Sequence, residues 1–171
     1  MRGRSSPLGL FLPVLIFGSS CAKQQSALVG ATAPDIEQQL LDGGEFSLKS
    51  YRGKQVVMLD FWATWCGPCV QEMPILAKVA DDYRDKGVAL VCVNQRESAS
   101  DIRAFLDREK LNVTVGLDSD GTAGQAYGAN GIPMLVIVDK QGIVRRVHVG
   151  YSPGIEATLK ADLDALLAGN Q

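Results

Sequence analysis

The stretch DFWATWCGPCVQEMP, residues 60–74, places two cysteines two residues apart, with Trp65 before them and Pro68 between. Such a pair can be a structural staple, half of a metal site, or a redox couple, and its flanks discriminate among these. VVMLDF, residues 56–61, is an apolar run of the length of a buried strand. GPCVQEMPILAKVADDYRDK reads as a helix, with Val70, Met73, Leu76, Ala77 and Ala80 on one face, Pro74 expected to kink it and Gly87 to end it. Cys66 therefore closes the turn after a strand and opens a helix, while Cys69 lies one turn inside. Free backbone N–H groups and the helix dipole at that position favour a thiolate, which makes Cys66 the expected nucleophile. Gly67 and Pro68 suit a tight first turn, where the N–H that proline lacks has no helical partner to lose. Two intervening residues let the sulfurs close a small ring on oxidation. Attack by Cys66 on a partner's disulfide gives a mixed disulfide, which Cys69 resolves.

The blander readings fit less well. A disulfide closing so small a loop removes little entropy from the unfolded chain and is a poor staple. Zinc needs four ligands, and the chain offers this one pair, Cys92 and a single histidine, His148. Cys92, within VALVCVN, reads as an inert core residue, and His148, within VRRVHVG, as a strand residue on a partly exposed face. The acidic fragment LDSDG lacks the ligand run of a calcium loop and reads as a turn.

Working outward, LLDGGEFSL is a strand pair about an Asp-Gly turn, VALVCVN a second buried strand and SASDIRAFLDREK a second helix capped by Ser98 or Ser100. VTVGL is a short strand and TAGQAYG a short helical turn. MLVIVD and IVRRVHV flank Lys140-Gln141-Gly142 as a hairpin. SPGIEATLKADLDALLAG is a closing helix with Pro153 in its first turn. This order implies an α/β fold: a central mixed sheet with helices on both faces and an N-terminal β-hairpin extension.

The N-terminus reads separately. Residues 1–20 run from the basic MRGRSS through the apolar PLGLFLPVLIF to small residues, the pattern of an export signal and too short for a comfortable membrane span. Cys21 follows small residues as in a bacterial lipobox, although Gly18 stands where a leucine is usual, and cleavage after Ala22 is the alternative. Residues 21–28 then form a lipidated cysteine and tether, and residues 29–169 the folded domain. The polar stretch AKQQSALVG, nine residues at ~3.3 Å each, reaches about 30 Å and keeps that domain near a membrane. Hydrophobic residues make up 46% of the 171 and charged residues 21%, enough for a sizeable core. Net charge is −2, and removing residues 1–20 takes away Arg2 and Arg4 but no acid, leaving −4; no footprint for nucleic acid results.

DFWATWCGPC resembles the thioredoxin superfamily. VGATAPDI, FSLKSYRGK, FWATWCGPCVQEMP, AYGANGIPMLVIVDKQGIV and Gly150 before a final helix together resemble the TlpA/ResA group of membrane-tethered bacterial thiol–disulfide oxidoreductases. The resemblance covers about residues 29–169 and implies a thioredoxin-like fold. It implies that Pro133 is the cis-proline beside the cysteines and that Ile132, before it, pairs with the backbone of a bound partner. The group commonly has Val-Pro-Thr, and Met134 in the third place implies a more apolar docking surface. Asp60 matches the buried aspartate of thioredoxin, where the TlpA group often has asparagine. Glu72 matches an acid that ResA-like proteins place near their cysteines. A carboxylic acid in an apolar strand has a raised pKa and suits a general base. Asp60, through a water, is thus expected to deprotonate Cys69, with Glu72 tuning the same site. Trp65 is expected to form a flat docking face with Gly67 and Pro68, and Trp62 to be support or core.

The resemblance implies an enzyme whose redox group is the Cys66–Cys69 pair, with no other cofactor and no metal. Gly-Pro between the cysteines resembles thioredoxin's reducing pair. A reductase outside the cytoplasm needs electrons from a membrane thiol reductant. Expected clients are apocytochrome c cysteines or the thiols of copper-site proteins. Two alternatives remain open at this point: a copper module like the SCO proteins, whose cysteines are spaced one residue wider, and a peroxiredoxin-like peroxidase, whose Pro-and-Thr pattern Ala63-Thr64-Trp65-Cys66 does not supply.

Overall fold

A computed structural model describes residues 27–169; the expected export signal and Cys21 lie outside the described residues. Seven strands form one mixed sheet: β1 (Glu37–Leu40), β2 (Glu45–Ser47), β3 (Val56–Trp62), β4 (Val88–Gln95), β5 (Val115–Asp118), β6 (Met134–Val138) and β7 (Val144–Val149). Their spatial order is β2-β1-β5-β4-β3-β6-β7. β3, β4 and β5 run parallel, and β6 and β7 complete one side antiparallel. The β1–β2 hairpin extends the other edge through antiparallel pairing with β5. The helices are α1 (Gly67–Tyr83), α2 (Ala99–Glu109), α3 (Thr122–Tyr127) and α4 (Ile155–Leu167). Among the described residues no helix is long and apolar enough to cross a membrane.

β3 is central because every one of its seven residues is apolar or can be neutralised, and all seven are buried. Leu59 and Phe61 face one layer, with Phe46, Leu48 and Tyr127 of α3. Met58 and Trp62 face the other, covered by α1, α2 and α4. Full burial of side chains such as Met58, Leu59 and Phe61 stabilises by about 1.5–3 kcal/mol each. Asp60 is the exception within this row and shares its face with Met58 and Trp62.

Two expectations are corrected. The buried stripe of α1 is Cys69, Glu72, Met73, Leu76, Val79 and Tyr83, so Val70, Ala77 and Ala80 sit at its margin rather than its centre. Helical spacing alone did not include a charged residue in the stripe. Pro153 is outside α4, which begins at Ile155 after a Gly154 N-cap. The helix continues through Pro74, which is exposed. Ser98, not Ser100, caps α2, its hydroxyl accepting from Asp101 N at 3.2 Å. LDSDG is a turn, as expected: Asp118 Oδ1 and Oδ2 accept from Ala123 N and Gly124 N at 2.9 and 2.8 Å and so start α3.

Candidate active site

The buried strand β3 ends at Trp62, and a four-residue turn delivers the chain to α1. Cys66 is the N-cap of that helix, and its Sγ accepts a hydrogen bond from Cys69 N at 3.3 Å. The Cys66–Cys69 disulfide is closed, with the Cα atoms 5.2 Å apart. Cys66 keeps 5% of its surface and Cys69 1%, which makes Cys66 the more open to attack. Gly67 and Pro68 are exposed first-turn residues. Trp65 is 72% exposed, a large apolar surface with no structural duty, whereas Trp62 is fully buried against Phe105, ring centroids 5.4 Å apart.

The Ile132–Pro133 peptide is cis. Pro133 is buried, its carbonyl accepts from Gly150 N at 2.8 Å, and Ile132 packs against the apolar cluster that contains Cys66 and Cys69. Met134 does not make a docking surface more apolar, as expected of it: it is fully buried in the opposite layer, paired with Phe61 on β3 and Val149 on β7. Strand alternation turns it into that layer, away from the cluster that holds the cysteines.

Beneath the cysteines lies an acid pair. Asp60 and Glu72 are each only 2% exposed, and one carboxylate oxygen of each has no hydrogen-bond partner among the described residues. Burial raises the Asp60 pKa well above the usual carboxylate range, and the charge of Glu72 raises it further. Burial alone pushes Glu72 up to about 7. Glu72 stands three residues after Cys69 on the same buried stripe, so the helix brings the acid and Cys69 to one side.

Cys92 is a free, fully buried core residue, as expected, and it also meets an acid. It sits opposite Asp60 in the β3–β4 register, and its thiol donates a hydrogen bond to the Asp60 carboxylate. Burial and the Asp60 charge push the Cys92 thiol well up, so it stays a protonated donor. Sequence reasoning also missed Glu97, whose carboxylate accepts from Thr64 N and Asn94 Nδ2, both at 2.7 Å, and from Thr64 Oγ1. That clamp fixes the turn carrying Trp65 and Cys66. His148 is a strand residue on a partly exposed face, as expected, with Nε2 hydrogen-bonded to Asp162 at 2.9 Å.

The Redoxin family model matches residues 28–167. This chain belongs to the Redoxin family. Within it, the chain is 38% identical over 138 residues to the thioredoxin-like protein YneN of Bacillus subtilis, covering 79% of each. It is 34% identical over 135 residues to the thiol-disulfide oxidoreductase ResA of Geobacillus thermodenitrificans, covering 79% of this chain and 77% of that one. A solved structure from Chlorobium tepidum, described as thiol:disulfide interchange protein DsbE, superposes with a TM-score of 0.76 at 34% identity, over 81% of this chain and 97% of that one. The chain is thus a ResA-like thiol–disulfide oxidoreductase of the thioredoxin superfamily.

Proposed function

We propose that the protein is an extracytoplasmic, membrane-tethered reductase of client disulfides. The observation that supports this most is the CGPC turn set above two buried acids, Asp60 and Glu72, whose burial pushes both carboxyls up. In the reduced protein the Cys66 thiolate attacks one sulfur of a client disulfide. A Cys66–client S–S bond forms, the client S–S bond breaks, and the departing client sulfur takes up a proton. The Cys69 thiol passes its proton through a water to ionised Asp60, with Glu72 setting how readily Asp60 ionises. The Cys69 thiolate then attacks Cys66 Sγ, closing the Cys66–Cys69 disulfide and releasing the second client thiolate. The client gains two electrons, and the protein loses them.

A membrane dithiol reductant restores the Cys66–Cys69 thiols and is itself left as a disulfide. The cysteine pair is the whole redox equipment, and no further cofactor takes part. Trp65, Gly67, Pro68, Ile132 and Pro133 form the face on which the client docks. Clients are apocytochrome c cysteines awaiting haem or the thiols of copper-site proteins, and acylated Cys21 holds the enzyme at the membrane. Direction is tested by acid-quenching host cells and alkylating free thiols. A reductase is held mainly as the Cys66/Cys69 dithiol, whereas a protein held mainly as the disulfide, and unchanged when the membrane reductant is removed, is not one. Labelling with a radioactive fatty acid that is lost in Cys21→Ser tests the anchor.

A further inference from the structure

The loop leaving β4 points two charged residues in opposite directions. Glu97 turns inward to Thr64 and Asn94. Arg96 turns outward, and its backbone adopts φ 63°, in the left-handed region that residues other than glycine seldom occupy. Its amide is pinned there by a 3.1 Å hydrogen bond to Asp118 O. The Arg96 side chain lies over Gly121, itself at φ 77°, where any side chain would collide with the guanidinium. The left-handed turn at Arg96 aims its side chain over Gly121, and the bare glycine leaves room for the guanidinium there.

The place adjoins Trp65, the residue before the redox pair. Arg96 and Trp65 line one open groove of about 540 Å³, completed by Gln95, Gln125, Ala129 and Asn130. The Glu97–Thr64 clamp ties the Arg96 loop to the turn that presents Trp65 and Cys66. No acid lines the groove, and among the described residues no carboxylate pairs with the Arg96 guanidinium. The neighbouring Glu97 oxygens are already taken by Thr64 and Asn94. An exposed arginine without a carboxylate is open to a partner's acid.

We propose that Arg96 is a specificity residue of the thiol–disulfide exchange: it binds an acidic side chain that the client carries within two or three residues of the cysteine attacked by Cys66, while Trp65 covers the same segment's apolar side. The inference rests on the oxidoreductase reading and adds the chemistry of the client to it. A rim charge of this kind acts mainly on encounter and is sensitive to salt.

The test uses disulfide-linked peptides identical except for Glu or Lys beside the reacting cysteine, reduced by the full-length protein with its cysteines kept reduced. The readout is the ratio of the two kcat/KM values. In the wild type the Glu peptide is preferred by about 5–10-fold at low salt, and the preference shrinks at roughly 0.5 M salt. Arg96→Lys retains a preference, Arg96→Gln brings the ratio close to one, and Arg96→Glu inverts it. Thermal melts of each variant report folding, and because each ratio is internal to one variant, partial loss of folded protein cancels. A wild-type ratio near one, or a ratio unchanged in Arg96→Glu, overturns the proposal. A wild type that reduces neither peptide overturns the oxidoreductase reading and the proposal with it.

Discussion

Asp60 on β3 and Cys92 on β4 stand opposite each other in the parallel register, and the Cys92 thiol donates a hydrogen bond to the Asp60 carboxylate. Cys92 also belongs to the same buried cluster as Cys66 and Cys69. The thiol opposes the burial of Asp60 and the charge of Glu72, both of which hold the proton on. It therefore makes a deeply buried acid easier to ionise, which a general base requires.

Removing that donor should move the pH dependence of catalysis. In Cys92→Val the Asp60 pKa rises further, so the ascending limb of kcat/KM against pH moves to higher pH. Steady-state reduction of a disulfide substrate between pH 5 and pH 9 reads this directly. A fall in rate with no displacement of the limb would leave Cys92 a packing residue only.

Asp60→Asn keeps the shape of the side chain but cannot take a proton. Reduction of a disulfide substrate at pH 7 should slow by at least about tenfold, through the second step, so that the Cys66 mixed disulfide builds up before it resolves. Rapid quenching followed by mass measurement separates the two steps. An unchanged rate removes Asp60 from the mechanism.

Glu72 should imprint its burial on stability. Its pKa is raised in the folded state from 4.5 to about 7, so the folded protein holds the proton more tightly than the unfolded chain. Stability from this group is fully present below about pH 4.5 and is lost as pH rises through about 7. Glu72→Gln, neutral throughout, should abolish that decline and exceed the wild type at pH 8 by on the order of 2 kcal/mol. Urea unfolding at pH 5 and pH 8 measures it. Equal pH dependence in the two proteins would place the buried charge elsewhere.

Much of this site was legible in the sequence, for reasons that also explain what was not. The strand-to-helix position of Cys66, the cis bond at Ile132–Pro133 and the burial of Asp60 follow local pattern or the family resemblance. The partnership of Asp60 with Cys92 depends on the register between strands separated by α1, which no local pattern encodes. Met134 lay in MLVIV, a run buried on both faces, so alternation could not tell which layer it entered. Glu72 was suspected from resemblance, yet a helical stripe drawn from apolar residues alone passed beside it. Arg96 gave no signal because its importance lies in a backbone angle and a glycine far along the chain.

The Glu97 clamp should be structural as well as positional. Glu97→Ala leaves Thr64 N and Asn94 Nδ2 without their acceptor and should cost about 1–2 kcal/mol. Calorimetry should show a melting temperature lower by a few degrees, and fluorescence of Trp65 should report a looser turn. A melting temperature within error of the wild type would mean that water replaces the clamp.

The most direct measurement is covalent trapping with single-cysteine variants, using the full-length protein in its host. The expected result is that Cys69→Ser accumulates disulfide-linked client adducts through Cys66, released by a reducing agent, while Cys66→Ser accumulates none. Equal trapping by Cys66→Ser, or no adduct with Cys69→Ser while the wild type reduces a disulfide substrate, would contradict Cys66 as the nucleophile and Cys69 as the thiol that resolves it.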